Sequence, residues 1–233
     1  MPTDTSFGEV RFFEDFLEAT ITDIPGVVTM TTTAGACAIV AGGADGRVRI
    51  THSNADNSDV GAVGFDLLSW TAGDGYLKME ARIIISAITD YCVFVGFGDK
   101  IASGDESVIT CPADVVTTGA QSDAIGILWD GEATTAQLWA VGQATDVITV
   151  KTGLGTDTAP VATTPITLGV YLSLDRKSAV FYVNGKEEHR VDANSTALVA
   201  AVDLVPTVTT LERGTAYNCD IDYLYASKGR SAT

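Results

Sequence analysis

Two histidines, His52 and His189, are the side chains best suited to move protons near neutral pH. A Ser-His-Asp triad would need one of them beside a serine and a carboxylate, with the serine on a Gly-x-Ser-x-Gly turn or an equivalent. His52 lies at the edge of a polar loop, His189 lies among charged residues, and no such turn sequence accompanies either one. We therefore expect both imidazoles to be solvated surface groups, and the sequence predicts no catalytic residues.

Two clusters of acidic and amide side chains have the oxygen ligands that a hard cation such as Ca²⁺ prefers. They are Asp56, Asn57 and Asp59, and Asp99, Asp105 and Glu106. Neither cluster has a fixed ligand spacing like that of an EF-hand, and carboxylates in such loops also cap turns. Calcium binding by the first cluster and simple turn capping are two open interpretations. No other cofactor is expected.

Trp70 and Trp129 each lie next to a turn, where an exposed ring would be able to stack on a sugar. The same position is typical of a tryptophan that closes the end of a β-sandwich core, so both interpretations stay open. Trp139 lies in a strand-like stretch and is predicted to be a core residue. Trp70 and Trp129 are therefore the predicted carbohydrate-binding residues.

The four cysteines, Cys37, Cys92, Cys111 and Cys219, are widely separated, and no pair has the Cys-x-x-Cys spacing of a zinc knuckle. Cys92 and Cys219 lie in strand-like stretches, which predicts buried free thiols. Three disulfide pairings are formally possible for four cysteines, and the spacing does not choose among them.

The composition is that of an acidic, apolar-rich chain. Of its 233 residues, 46% are hydrophobic and 19% are charged, with a formal net charge of −16. This length suits one all-β domain, and this charge would repel a phosphate backbone, which disfavours nucleic-acid binding. No apolar run approaches the roughly 20 residues that span a bilayer, and the first residues lack the basic and apolar regions of a secretory signal. We therefore expect synthesis in a host cytoplasm and no membrane partner.

The residues from Thr167 to Asp192 predict three consecutive antiparallel strands. Alternating apolar residues from Leu168 to Leu174 indicate a strand with one buried face, and Ala179–Val183 is apolar enough to be covered on both faces. Asn184-Gly185 then provides the positive φ angles of a type I′ turn before the charged strand Lys186–Val191.

Two further stretches have a clear strand pattern. From Leu77 to Ile85, apolar residues alternate with charged ones, which predicts a strand with one buried face and with Tyr91–Phe97 as its neighbour. A closing strand is predicted over Asn218–Ala226. Its side chains on one side are predicted to be Ile221, Tyr223 and Tyr225.

About a dozen such strands, separated by polar turns, predict an all-β fold, an antiparallel β-sandwich. The stretch Ser195–Val202 predicts no more than about a turn of helix. The predicted organisation is a flexible N-terminal tail over residues 1–8, a single β-sandwich domain over residues 9–229 and a C-terminal tail over residues 230–233.

The segment Leu172–Lys186, which ends in Phe-Tyr-Val-Asn-Gly-Lys, resembles the strand–turn–strand segment of the concanavalin A-like lectin/glucanase superfamily, including laminin G-like jelly rolls. The strand from Gly75 to Ile85 and the closing Ile221–Tyr225 are similar to that superfamily as well. The resemblance implies a jelly roll. Laminarinase-type members have Glu-x-Asp-x-x-Glu on one strand as nucleophile and acid/base, and no such string occurs here. We therefore expect no enzyme.

Phe13–Leu17 and Val95–Asp99 are similar to jelly-roll proteins of tailed bacteriophages, which sit on the virion as head decoration or fibre components. This resemblance implies a non-enzymatic capsid decoration protein on the virion surface. Its partner would be the major capsid protein or another virion protein, and it would form a homo-oligomer, with Phe12, Phe13 and Phe16 as contacts. The alternative is a carbohydrate-binding, lectin-like module with glycans as ligands, on a phage fibre or elsewhere.

Overall fold

Strands make up almost all of the regular structure. The computed structural model describes residues 3–5, 8–31, 35–40, 46–52, 59–65, 70–100, 109–214 and 216–229. The strands in these ranges are β1 (Thr3–Thr5), β2 (Glu9–Glu14), β3 (Val27–Thr31), β4 (Gly35–Ile39), β5 (Val48–His52), β6 (Val60–Phe65), β7 (Trp70–Thr71), β8 (Leu77–Ile85), β9 (Tyr91–Gly98), β10 (Ala124–Asp130), β11 (Trp139–Ala144), β12 (Val147–Gly153), β13 (Ile166–Leu172), β14 (Ala179–Val183), β15 (Lys186–Val191), β16 (Asp203–Glu212) and β17 (Tyr217–Gly229). The helices there are short 3-10 turns at Ile21–Asp23, Pro112–Asp114 and Thr156–Thr158, and none is long and apolar enough to cross a membrane.

The strands form two sheets that share one core. The nine-stranded sheet has the order β1-β2-β17-β8-β13-β14-β15, with β5 also pairing with β17 and β4 pairing with β5. The eight-stranded sheet has the order β12-β11-β10-β9-β16-β6-β3, with β7 pairing with β16. The pairings between these strands are all antiparallel. The predicted antiparallel β-sandwich is confirmed.

The two-residue repeat of the strands decides which side chains enter the core. In β8 every second position from Leu77 to Ile85 is buried, whereas Lys78, Glu80 and Arg82 alternate with them on the outer face. The predicted neighbour of β8 is wrong, because β9 lies in the eight-stranded sheet and β8 pairs with β13 and β17 instead. The segment between β8 and β9 therefore passes from one sheet to the other.

The turn between β14 and β15 has the geometry that its sequence predicts. Asn184 and Gly185 have φ angles of 51° and 76°, which suit a type I′ turn. Asn184 also ties the turn to β13, since its backbone N–H donates to the Thr167 carbonyl at 2.7 Å and its Oδ1 accepts from the Thr167 N–H at 3.0 Å. This double link fixes the register of the three strands.

The outer faces of the two sheets differ. On the eight-stranded sheet, Ile109 and Cys111 are buried against Phe94 and Leu128, in a second, smaller apolar cluster. Residues 109–111 therefore cover part of this face. The central strands of the nine-stranded sheet have half-buried and exposed polar and aromatic side chains on their outer face, which leaves room for a ligand.

Several details of the structure add to or differ from the sequence predictions. Residues 3–5, expected within a flexible tail, pair with β2 as strand β1. The segment 195–202 contains no helix, which agrees with the predicted limit of about one turn, and Leu198 and Val199 are buried in the core. Leu174 lies beyond the end of β13 and is exposed. The predicted C-terminal tail over residues 230–233 lies outside the described residues.

His52 is buried rather than solvated, which corrects the expectation from the sequence. Only 1% of its surface is exposed, because β5 places the imidazole against β16, where Nε2 and Thr210 Oγ1 are 2.8 Å apart. Its ring also packs on Tyr217, with 4.8 Å between ring centroids. Burial lowers the pKa of His52 to about 4, although the nearby Asp59 carboxylate opposes this shift.

The buried His52 makes a pH-dependent contribution to stability. In the unfolded chain the imidazole has a pKa near 6.5, so between pH 6.5 and about 4 the unfolded state binds more protons than the folded state. We expect stability to fall as the pH falls through this window, by at most about 3 kcal/mol from this group. Chemical denaturation at pH 7 and pH 4.5 should show a smaller loss for His52→Gln than for the parent. A parental loss no larger than that of His52→Gln would contradict the assignment. His189→Gln removes the half-buried histidine, whose pKa is also lowered by burial, and should reduce the loss less than His52→Gln does.

Candidate binding groove on the nine-stranded sheet

Neither of the tryptophans predicted to bind sugars offers a free ring face. Trp70 is 1% exposed, and its ring packs near Phe97 with 6.3 Å between centroids. Trp129 is 4% exposed, and its indole N–H donates to the Ile88 carbonyl at 3.2 Å. The prediction of sugar stacking at these two rings is corrected, since both of them close the core.

The predicted metal and contact residues have mixed outcomes. Asp56 and Asn57 lie outside the described residues, and Asp59 is buried beside β16, where its carbonyl accepts from the Glu212 N–H at 2.8 Å. Of the predicted capsid contacts, Phe12 and Phe16 are buried in the core and are therefore corrected. Phe13 is 54% exposed, which keeps it available for a partner.

In the described part of the chain, few side chains are placed to bind a metal ion or to act as a nucleophile. No group of three or more His, Cys, Asp or Glu residues there has the arrangement to hold a metal ion. Of the second acidic cluster only Asp99 is described, and its Oδ2 accepts from the backbone N–H and hydroxyl of Ser122. All four cysteines are free, which confirms the buried thiols of Cys92 and Cys219. Burial raises the pKa of Cys219 to about 12, so this thiol is a poor nucleophile.

A groove of about 390 Å³ crosses the outer face of β17, β8, β13 and β14. We call it the tyrosine groove. It is lined by Lys78, Met79, Glu80, Gly169, Val170, Tyr171, Tyr182, Gly185 and Tyr225. The strand register brings these residues together, because Glu80 is opposite both Tyr225 and Gly169, and Gly169 is opposite Tyr182. Gly169 forms the floor, where the absence of a side chain leaves space between Glu80 and the Tyr182 ring.

A β-bulge in β17 determines that the groove is aromatic. The register against β8 shifts between Ile221 and Tyr223, so that Asp222 is the extra residue. Ile221 and Leu224 therefore both enter the core, whereas Tyr223 and Tyr225 lie on the outer face. The expectation that Ile221 shares a side with the two tyrosines is wrong for this reason.

The polar groups of the tyrosine groove are held by aromatic neighbours. Lys78 Nζ lies 4.7 Å from the centroid of the Tyr76 ring and 5.9 Å from that of Tyr171, within cation–π distance of both. Glu80 Oε1 accepts a hydrogen bond from the Tyr223 hydroxyl at 2.7 Å. Burial and this hydrogen bond raise the pKa of Tyr223 to about 12, so the hydroxyl remains a donor at physiological pH.

A second groove of about 360 Å³ adjoins the first along β8 and β17. We call it the arginine groove. It is lined by Phe13, Asp15, Leu17, Arg47, Arg82, Ile84, Pro165, Asp222 and Tyr223. Its cations are paired, since Arg82 Nη1 lies 2.9 Å and Arg47 Nε lies 3.7 Å from the Asp222 carboxylate. Its apolar part includes the exposed side chains of Phe13 and Leu17.

The tyrosine groove combines aromatic rings with a few polar groups. Half-buried rings beside a few placed polar groups suit an amphipathic ligand such as a sugar. Glu80 is the one carboxylate among its lining residues, whereas glycoside hydrolysis by the usual mechanism needs two. The sequence signal for this site is the presence of tyrosines at the outward positions of three strands. Tryptophans beside turns, on which the sugar-binding prediction rested, do not mark it.

Solved structures of known proteins have the same fold as this chain. The chain matches no protein-family model and no curated protein. Among solved structures, it is similar to a carbohydrate esterase of the Shiga toxin-encoding bacteriophage phi24B, with 17% identity, a TM-score of 0.50, and coverage of 88% of this chain and 90% of that one. It is also similar to arcelin-5, a lectin-like defense protein from Phaseolus vulgaris, with 12% identity, a TM-score of 0.60, and coverage of 96% and 100%.

A third similar structure comes from a study of endo-acting O-glycanases that initiate mucin breakdown in the human gut microbiota, with 10% identity, a TM-score of 0.63, and coverage of 93% and 98%. At such identities a likeness shows the fold alone. The two antiparallel sheets and these similarities agree: the chain has the jelly-roll fold of the concanavalin A-like lectins and glucanases.

Proposed function

We propose that this chain is a non-enzymatic, lectin-like protein of a bacteriophage particle, and that the tyrosine groove is its glycan contact. The observation behind this proposal is the groove itself, where Tyr171, Tyr182 and Tyr225 surround a floor without a side chain at Gly169. A pyranose ring has an apolar face that covers such an aromatic ring and hydroxyls that reach Glu80 and Lys78. The lectin-like fold supports the same ligand class.

The non-enzymatic part of the proposal rests on the described side chains. The tyrosine groove has a single carboxylate, Glu80, and it contains neither of the two histidines. His52 lies in the core, where a substrate has no access. The hydrolases among the structural neighbours therefore support a glycan ligand more strongly than they support turnover.

A place on the virion, as a head decoration protein, is the second element of the proposal. It is supported by the resemblance of Phe13–Leu17 and Val95–Asp99 to phage jelly-roll proteins, and by a phage protein among the structures of the same fold. The net charge of −16 would keep decorated particles soluble and apart. Phe13 and Leu17, exposed in the arginine groove, provide an apolar contact for the capsid protein or for a second copy of the chain.

Filling the floor of the tyrosine groove should abolish glycan binding. A Cβ at Gly169 would lie 3.3 Å from the Met79 carbonyl oxygen, a tight contact that needs a shift of a few tenths of an ångström, so thermal unfolding must first verify that Gly169→Trp, whose ring is expected in the groove, is folded. Tyr171→Ala should weaken binding by about tenfold, since a lost aromatic stack accounts for about 1.5 kcal/mol. A glycan array followed by calorimetric titration of the best ligand measures both effects. Val147→Trp, at an exposed position on the other sheet, is the matched control and should bind like the parent.

The position on the particle is tested by quantitative mass spectrometry of density-purified virions. A head decoration protein is expected at a copy number comparable to that of the major capsid protein, because it binds a repeated surface. A handful of copies per particle would contradict the decoration role in favour of a fibre, and complete absence would overturn the virion proposal. Phe13→Asp should lower the copy number, since it places a charge in the expected contact.

A further inference from the structure

The tyrosine groove contains a cation without a carboxylate partner among the described residues. Lys78 Nζ lies over the Tyr76 and Tyr171 rings and forms no ion pair there. The other basic groups of the same sheet are neutralised: Arg49 pairs with Asp220 at 2.6 Å, and Arg82 pairs with Asp222 at 2.9 Å. The chain has a net charge of −16, so a cation that forms no ion pair among the described residues distinguishes the groove from its surroundings.

Glu80 and Glu9 form contacts with other residues. Glu80 is two residues further along β8 and accepts the Tyr223 hydroxyl at 2.7 Å. Glu9, on β2, forms a salt bridge with Arg11. The Lys78 side chain is half-buried, and its ammonium group lies over the two rings. A ligand anion that reached Nζ would form its ionic contact beside these rings, where such a contact is stronger than in bulk water.

The other lining residues restrict what the anion belongs to. A free inorganic anion would leave the faces of Tyr171, Tyr182 and Tyr225 uncovered. A sugar ring that bears a carboxylate combines an apolar face for the tyrosines, hydroxyl donors for Glu80 and an anion for Lys78. A volume of about 390 Å³ lies at the lower end of the range for small-molecule sites, which suits a short stretch of one glycan chain.

We propose that the tyrosine groove selects acidic sugars, with the carboxylate of a uronic or sialic acid residue bound by Lys78 and the sugar ring packed on Tyr171 and Tyr225. This inference rests on the proposed function, because it names the ligand class of the same groove. Lys78 acts as the specificity-determining residue, and Glu80 with Tyr223 orients the hydroxyls of the sugar.

The test compares each acidic oligosaccharide with its own neutral counterpart. The probes are oligomers of galacturonate, mannuronate and sialic acid, each paired with the same oligomer after reduction of its carboxyl groups to alcohols. Calorimetric titration of the parent protein should show at least a tenfold preference for one acidic oligomer over its reduced partner.

Three variants assign the preference to Lys78. Lys78→Met should lower the preference to about one, because it weakens binding of the acidic oligomer more than binding of its reduced partner. Lys78→Arg retains the charge and should retain most of the preference. Lys177→Met removes an exposed lysine outside the groove and should behave like the parent. Thermal unfolding of each variant verifies that it is folded.

The outcomes separate the two proposals. If the parent binds acidic and reduced oligomers equally, or if Lys78→Met keeps the preference, the selectivity inference is overturned while glycan binding stands. If no acidic or reduced oligomer binds and a wider array of neutral glycans shows ligands, the inference falls and the proposed function remains. If neither the oligomers nor the array contains a ligand, both proposals are overturned.

Discussion

The requirement that both halves of β17 turn apolar side chains towards the core determines the arrangement of the nine-stranded sheet. This strand pairs with β2, β5 and β8, so its register sets the positions of three neighbours. Its first half buries Cys219 and Ile221, and its second half buries Leu224 and Ala226, two sets that a regular two-residue repeat would place on opposite faces. The bulge at Asp222 reconciles them, and it also turns Tyr223 and Tyr225 outward. The aromatic groove is thus a consequence of core packing.

The outer faces of the two sheets differ in how much apolar surface they contain. The eight-stranded sheet is buried on both sides at its centre, where Phe94 and Leu128 are packed under Ile109 and Cys111. An apolar surface of this kind needs a cover, since exposed apolar area is unfavourable in water. The nine-stranded sheet has its apolar residues on the inner face. Its outer face has tyrosines, Lys78 and Glu80, whose polar groups are compatible with contact with water. A binding site is therefore more compatible with the second face than with the first.

The sequence predicts those features that depend on neighbouring residues. The alternation in β8 and the Asn184-Gly185 turn are local patterns, and the structure confirms both. The position of His52 and the burial of Trp70 depend on which distant strands pack over them, and no local pattern includes that information. Polar neighbours in sequence suggested that His52 was solvated, whereas its neighbours in space are Thr210 and Tyr217. The bulge at Asp222 could not be predicted from the sequence, because it interrupts the two-residue repeat on which strand prediction relies.

The separation of core and groove explains why the fold by itself says little about the ligand. Inward positions of β8, β13 and β17 are constrained by packing density, so that a substitution there affects stability. Outward positions such as Lys78, Tyr171 and Tyr225 contact few core atoms, so that their identity varies at little cost to folding. A likeness to proteins at 10 to 17% identity therefore shows the shared sandwich and carries no information about the site. What distinguishes this chain is local: an ammonium group over two rings, beside a floor without a side chain, on a protein whose remaining surface is strongly acidic.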